Sequence, residues 1–205
     1  MKTAMLFVAA AVFASVEAPA QSLSLNNVTS GIYCRFDPNC QVSPVTASSS
    51  FSPTNLAVTC VLESRSFPGK GMDAKGIYGY EYRLTLNNNG EDGTNFFTVD
   101  SLAVNFNQPE SFAYGLHASN QVWIVTDGAG SVAPGSANFS GTNVVFQFNP
   151  PLVLATLTNK TINTYLFGMI STNSPHLTKA IVSGSLKTSA DSNVSFDEEM
   201  QARTP

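Results

Sequence analysis

Apolar and polar residues alternate most regularly between Gly76 and Leu86. The apolar positions share one parity and the polar positions the other: Tyr80, Tyr82, Leu84 and Leu86 against Glu81, Arg83 and Thr85. Successive side chains of a β-strand point to opposite faces, so this pattern predicts a half-buried strand. We expect its aromatic face to pack on a hydrophobic core.

Shorter runs of the same kind recur along the chain and predict further strands. They cover residues 31–36, 56–62, 96–106, 122–126, 144–148, 165–170 and 180–186, with a weaker strand at 131–133. The Ser-, Thr- and Pro-rich segment 42–54 is typical of a loop or a weak edge strand, because proline removes a donor from the ladder. No window keeps apolar residues at helical spacing for the roughly twelve positions that a stable helix needs.

Turn signals suggest how these strands connect. The dipeptide Asn89-Gly90 tolerates positive φ and predicts a hairpin between the 76–86 and 96–106 strands. Pro150-Pro151 is expected to end the 144–148 strand, and the polar tail from about residue 188 is expected to be loose. The whole pattern predicts an all-β fold, an antiparallel β-sandwich of about eight to ten strands. Jelly-roll and immunoglobulin-like Greek-key topologies both fit, and residues 21–205 would form a single domain.

The first twenty residues have the layout of a secretory signal peptide. Lys2 supplies a positive start, Ala4–Ala14 an apolar run, and Ala18-Pro19-Ala20 a small-residue cleavage site. The run is well short of the roughly 20 residues that span a bilayer, and no second run approaches that length. We therefore expect cleavage before Gln21 and a secreted or periplasmic mature chain without a transmembrane segment.

Composition and charge narrow the class of partner. Only 12% of the residues are charged and the net charge is −4, with ten Lys and Arg residues scattered singly. No basic stripe is present that could neutralise a run of phosphates, which argues against nucleic acid. A polar surface built from Ser, Thr and Asn is typical of extracellular β-proteins and is compatible with a glycan or protein ligand.

Export permits disulfide bonds, and the chain contains three cysteines: Cys34, Cys40 and Cys60. Cys60 shares the apolar parity of Val58 and Leu62, which predicts a buried free thiol. A bond between Cys34 and Cys40 would close a short turn, and we favour it for its local reach. Loop entropy prefers either pairing with Cys60 by about 1.5 kcal/mol, a gap too small to decide.

Candidate catalytic residues are few. The chain has no Gly-x-Ser-x-Gly pentapeptide, so a serine hydrolase of that type is not indicated. A carboxylate-dependent hydrolase would need two acids facing each other across a cleft. Glu81 and Asp100 are candidates because the predicted hairpin would bring them close, and Asp127 is a third. A solvated ion pair of Glu81 with Arg83 on the same strand face, or a cross-strand contact, explains these acids better than catalysis does.

Three other groups of residues are candidates for ligand binding. His117 and His176 are expected in loops and lack the spacing of a zinc site. The loop Asn87–Asp92 collects oxygen ligands that suit calcium, although a solvated turn explains the same residues. Aromatic residues could form a sugar-stacking surface, although core packing is their commoner role: Tyr78, Tyr80, Tyr82, Phe96, Phe97 and Trp123. We predict no catalytic, cofactor-binding or metal-binding residue.

Two stretches are similar to a known group of sequences. Glu63–Gly69 contains Ser-Arg-x-Phe, and Gly79–Leu84 reads Gly-Tyr-Glu-Tyr-Arg-Leu. They resemble a group of uncharacterised bacterial exported proteins with signal peptides and β-sandwich folds, over a region from Gly31 to about Leu186. The resemblance implies bacterial export and an all-β fold, and it implies no activity or functional residue.

These patterns favour a non-enzymatic exported module that binds or adheres outside the cytoplasm. The alternatives are a carboxylate-dependent hydrolase acting on glycans and a structural matrix protein without a small ligand. A matrix protein would self-associate through its edge strands.

Overall fold

The computed structural model describes residues 19–53, 57–71, 74–88, 96–114, 117–155, 161–187 and 193–205. Their strands are β1 (Gln21–Ser22), β2 (Leu25–Val28), β3 (Val45–Phe51), β4 (Val58–Pro68), β5 (Tyr78–Asn88), β6 (Phe96–Asn105), β7 (Phe112–Tyr114), β8 (His117–Asn120), β9 (Val122–Val125), β10 (Ser136–Ser140), β11 (Asn143–Ala155), β12 (Thr161–Asn163), β13 (Leu166–Ser171), β14 (His176–Lys187) and β15 (Asn193–Thr204). A 3-10 turn (Ser30–Ile32) runs directly into a one-turn helix, α1 (Tyr33–Phe36). None of the helices in these ranges is of the length and apolarity that a membrane crossing requires.

Two sheets pack face to face, which confirms the predicted all-β sandwich. Sheet I has the strand order β1-β10-β11-β6-β14-β15, and sheet II has the order β2-β9-β13-β5-β4-β3, with β12 also pairing with β5. Every pairing is antiparallel except that of β2 with β9. The β3 strand, in the segment expected to be a loop or weak edge, is an edge strand of sheet II.

The main core lies between the sheets. The four apolar positions of β5 are all buried, as their alternation predicted: Tyr80, Tyr82, Leu84 and Leu86. Aromatic rings meet across the interface, with the centroids of Phe146 in sheet I and Phe167 in sheet II 4.7 Å apart. Each large apolar side chain removed from water stabilises the fold by about 1.5–3 kcal/mol, so this layer is the main source of stability.

A second apolar cluster covers part of the outer face of sheet II. It contains Ile32, Phe36, Phe67, Ala74, Phe112, Trp123, Val125 and Ile170. The segment Ser30–Phe36, here called the cover segment, lies over this face and supplies Ile32 and Phe36. We predicted a strand at 31–36, and this was wrong. Ile32 and Phe36 are two alternations apart but also four residues apart, so one helical turn buries both side chains.

The predicted hairpin between β5 and β6 was also wrong. The β5 strand pairs with β4, β12 and β13 in sheet II, whereas β6 pairs with β11 and β14 in sheet I. The Asn-Gly turn itself lies outside the described residues. Turn residues favour a reversal of the chain, but they do not select which strands pair afterwards.

Two further expectations about strand ends were overturned. The β11 strand continues past Pro150-Pro151 to Ala155, because a register shift between Gln147 and Leu152 takes both prolines out of the ladder with β6. The tail expected to be loose contains β15, which pairs with β14 along its whole length. Asn193 lies opposite Lys187 at one end, and Thr204 lies opposite His176 at the other. Its inward residues Met200 and Ala202 are buried, but the surrounding residues of the strand are mostly polar, so the sequence shows no clear apolar alternation here.

The cysteines behave as expected. Cys34 is bonded to Cys40, and Cys60 is a free, buried thiol in the main core. Burial raises the pKa of Cys60 to about 12, because the apolar surroundings disfavour the thiolate.

Candidate functional site

Two Glu-x-Arg tripeptides lie opposite each other on the outer face of sheet II. They are Glu63-Ser64-Arg65 on β4 and Glu81-Tyr82-Arg83 on β5. The antiparallel register places Arg65 opposite Glu81 and Glu63 opposite Arg83. Charges of opposite sign therefore alternate around a square of four side chains, and each acid has an arginine as its cross-strand neighbour.

For Glu81 we expected either an ion pair with Arg83 or a cross-strand contact, and the structure shows a cross-strand ion pair with Arg65. Arg65 Nε lies 2.5 Å from Glu81 Oε2, whereas Arg83 Nε lies 3.0 Å from Glu63 Oε2. Residues two apart on one strand are separated by about 6.6 Å along it, but directly opposed residues have Cβ atoms about 5 Å apart. Cross-strand pairing therefore outcompetes pairing along the strand.

Glu81 is completely buried, and its carboxylate is satisfied by three neighbours. Trp123 Nε1 donates to Oε1 at 2.9 Å, Arg65 Nε donates to Oε2, and the Tyr33 hydroxyl donates to Oε1 at 3.2 Å. Arg65 Nη2 also donates to the Tyr33 hydroxyl at 2.5 Å. A buried carboxylate without such partners would cost several kcal/mol, so these contacts make its burial tolerable. We call Tyr33, Arg65, Glu81 and Trp123 the buried network.

Burial and the charges within the buried network shift the pKa values of Tyr33 and Arg65. Burial, and then the negative charge of Glu81, raise the pKa of Tyr33. Burial alone would lower the pKa of Arg65, but the attraction of Glu81 and Tyr33 outweighs it and the pKa is raised. Tyr33 is thus held as a neutral hydroxyl and Arg65 as a cation.

The network depends on a glycine in β13. Gly168 lies between Trp123 on β9 and Glu81 on β5 in register. A Cβ atom at Gly168 would lie 2.2 Å from the Tyr80 carbonyl oxygen, 2.7 Å from a Trp123 ring carbon and 2.8 Å from Glu81 Cγ. The missing side chain lets the indole cross over β13 to reach the carboxylate.

Only one half of the charged square is covered. Tyr33 of the cover segment lies over Glu81, whereas the side chains of Glu63 and Arg83 are 51% and 27% exposed. Beside them a groove of about 240 Å³ opens on the outer face, bounded by the edge strand β3. Its side-chain lining includes Thr46, Ser48, Glu63, Arg65, Arg83 and Leu166. Guanidinium donors, carboxylate acceptors and hydroxyls therefore face one solvent-open space.

The other carboxylate candidates lie elsewhere. Asp100 is exposed on β6 of sheet I, whereas Glu81 is buried in sheet II, so the structure does not bring this pair together. Asp127 accepts hydrogen bonds from the Ser30 backbone N–H at 2.8 Å and from its hydroxyl at 2.8 Å. These bonds lower the pKa of Asp127 and tie the start of the cover segment to the end of β9.

His117, His176 and the loop Asn87–Asp92 were the other candidates for metal binding. His117 lies in β8 and His176 begins β14, so the expectation that both lie in loops was wrong. Most of the loop Asn87–Asp92 lies outside the described residues, and within them Asn87 accepts a hydrogen bond from Thr161. The described ranges contain no cluster of three His, Cys, Asp or Glu side chains suited to a metal ion.

The six aromatic candidates do not form one exposed surface. Tyr80, Tyr82, Phe97 and Trp123 are buried, Tyr78 is half-buried, and Phe96 is 44% exposed on β6 of the other sheet. Packing and the Trp123 bond to Glu81 account for the buried rings.

Sequence reasoning missed Tyr33, Glu63 and Arg65 as members of a site. The available signal was the repeated Glu-x-Arg tripeptide on two successive strands, which becomes meaningful once the strands are paired antiparallel. Neither a family model, nor a curated protein, nor a solved structure matches the chain.

Proposed function

We propose that the chain is an exported, non-enzymatic binding module that holds its ligand in the groove on the outer face of sheet II. The observation that carries this proposal is an open polar groove whose charged lining is fixed by cross-strand pairs and by the buried network. Side chains mounted on paired strands lose little freedom when a ligand arrives, and this favours affinity.

The bonding of the two acids supports binding over catalysis. A general acid or base must exchange a proton with the substrate. Glu81 is sealed from solvent and accepts hydrogen bonds from Trp123, Arg65 and Tyr33. Glu63 is the acid that the groove exposes, and glycoside hydrolysis commonly needs two carboxyl groups roughly 5–10 Å apart on either side of the bond.

Export is supported by the N-terminal charge and apolar pattern together with the Cys34–Cys40 bond. A disulfide persists in an oxidising compartment, where a recognition module would meet glycans or surface proteins. The proposed location is therefore the periplasm or the exterior of a bacterial cell.

A bulky substitution inside the groove tests the assignment. Ser48→Trp should fill the groove, whereas Ser50→Trp places the same ring on the same exposed face of β3 outside the lining. The labelled protein and both variants would be applied to a glycan array and to a panel of extracellular matrix proteins. We expect Ser48→Trp to lose binding that Ser50→Trp retains. Equal binding by the two variants, or no binding by the unsubstituted protein on either surface, would overturn the proposal.

A further inference from the structure

We infer that the groove receives an uncharged sugar residue at the end or branch of a glycan, an inference that rests on the proposed binding function. The charge balance of the groove, its hydrogen-bonding groups and its size all suit such a ligand.

The charges in and beneath the groove cancel in pairs. Arg65 is matched by the buried carboxylate of Glu81, and Arg83 is matched by Glu63. A ligand carboxylate would meet the half-exposed carboxylate of Glu63, and a ligand amine would meet two guanidinium groups. Each would disturb an existing ion pair, whereas a neutral ligand leaves both pairs intact.

The hydrogen-bonding groups of the groove include donors, acceptors and hydroxyls that do both. Arg65 and Arg83 only donate, Glu63 only accepts, and Thr46 and Ser48 can do either. Sugar hydroxyls also donate and accept, so adjacent hydroxyls on one ring can bond to a guanidinium edge and a carboxylate together. The Leu166 side chain adds an apolar wall for the C–H face of a ring.

The dimensions favour one ring over a larger molecule. Pockets for drug-sized ligands commonly measure roughly 300–1,000 Å³, and this groove measures about 240 Å³. The groove is open to solvent, so the remainder of a longer glycan can extend outwards.

The test compares three ligand classes on one array: neutral oligosaccharides, glycans that carry uronate or sialate, and glycans with free amino sugars. The unsubstituted full chain should bind neutral glycans, with little change between about 0.05 M and about 0.5 M NaCl, because no net charge is exchanged. Glu63→Gln should weaken this binding about three- to tenfold through loss of a charged acceptor. Glu199→Gln is the matched control, since Glu199 forms a similar exposed pair with Lys179 on the other sheet.

The outcomes separate the inference from the proposed function. Binding to acidic glycans that Glu63→Gln strengthens, or to amino sugars that it abolishes, would overturn the neutral-sugar inference and leave the binding function intact. Binding to the protein panel alone that Ser48→Trp abolishes would do the same. A blank result on every surface would overturn both.

Discussion

Replacing Arg65 with methionine should destabilise the protein far more than the same change at Arg83. Both arginines face a glutamate across the same pair of strands, on the same face, and their side chains are almost equally exposed, at 23% and 27%. The glutamates differ, because Glu81 is fully buried and Glu63 is half-exposed. The Arg65→Met variant leaves a fully buried carboxylate that keeps, among the described residues, Trp123 and Tyr33 as partners. Breaking a buried ion pair in this way costs about 3–5 kcal/mol.

The exposed ion pair between Arg83 and Glu63 is the control for this loss of stability. Glu63 is 51% exposed at its side chain, and pairs of this kind contribute about 0–1 kcal/mol. Arg83→Met should therefore cost about 1 kcal/mol or less. The double variant Arg65→Met/Glu81→Leu removes both charges of the pair and should recover most of the loss, because apolar replacement of a buried pair is often close to neutral.

Urea unfolding measured by tryptophan fluorescence provides the assay. Trp123 is the single tryptophan of the chain and lies in the buried network, so its emission reports directly on this region. The unfolding midpoints of the four proteins would be compared at constant slope. If Arg65→Met and Arg83→Met cost the same, or if the double variant is no more stable than Arg65→Met, the assigned role of the network is wrong.

Burial of titrating side chains, the close approach at Gly168 and the N-terminal segment can each be tested separately. The pKa values of Cys60, Tyr33, Tyr80 and Tyr82 are all raised, mainly by burial. The folded chain therefore keeps these protons at pH values where the unfolded chain loses them, which is above about pH 8.5 for cysteine and about pH 10 for tyrosine. The stability that these groups contribute is complete below those pH values and is lost as pH rises, so the urea unfolding midpoint should drop between about pH 9 and about pH 11. A midpoint that stays constant over this range would contradict the burial of these groups. Gly168→Ala should cost about 1–3 kcal/mol in the same unfolding assay because its Cβ overlaps β5. Gly128→Ala should change stability by less than about 0.5 kcal/mol, because its Cβ would lie 4.0 Å from the Val125 carbonyl oxygen, an ordinary contact distance. Mass spectrometry of the exported protein should find Gln21 at its N-terminus, and retention of the first twenty residues would contradict the signal-peptide prediction.

The alternation of apolar and polar residues correctly predicted which side chains of a strand are buried. The alternation from Tyr80 to Leu86 correctly gave the buried face of β5, and the parity of Cys60 correctly gave a buried thiol. These predictions need only the two-residue period of a strand. The prediction of a loose tail was wrong because β15 has few apolar residues and is stabilised by its full-length pairing with β14.

Pairing between distant segments was harder to predict from sequence. The β5 and β6 strands were assigned to one hairpin because the turn signal was strong, yet they belong to opposite sheets. The same limit applied to the site: Glu81 was recognised as a notable acid, but its partner Arg65 depends on the register of β4 against β5. Tyr33 joins them from a segment 48 residues earlier than Glu81, which no local pattern connects to the sheet.

The proposed ligand of the groove on the outer face of sheet II is a neutral glycan. The most direct test is a two-dimensional ¹H–¹⁵N spectrum of the chain, titrated with the neutral glycan that gives the strongest array signal. We predict shifts at Thr46, Ser48 and the side-chain Nε–H groups of Arg65 and Arg83, with no shift at Glu199 on the other sheet. Shifts confined to sheet I, or none at saturating glycan, would contradict binding in the groove.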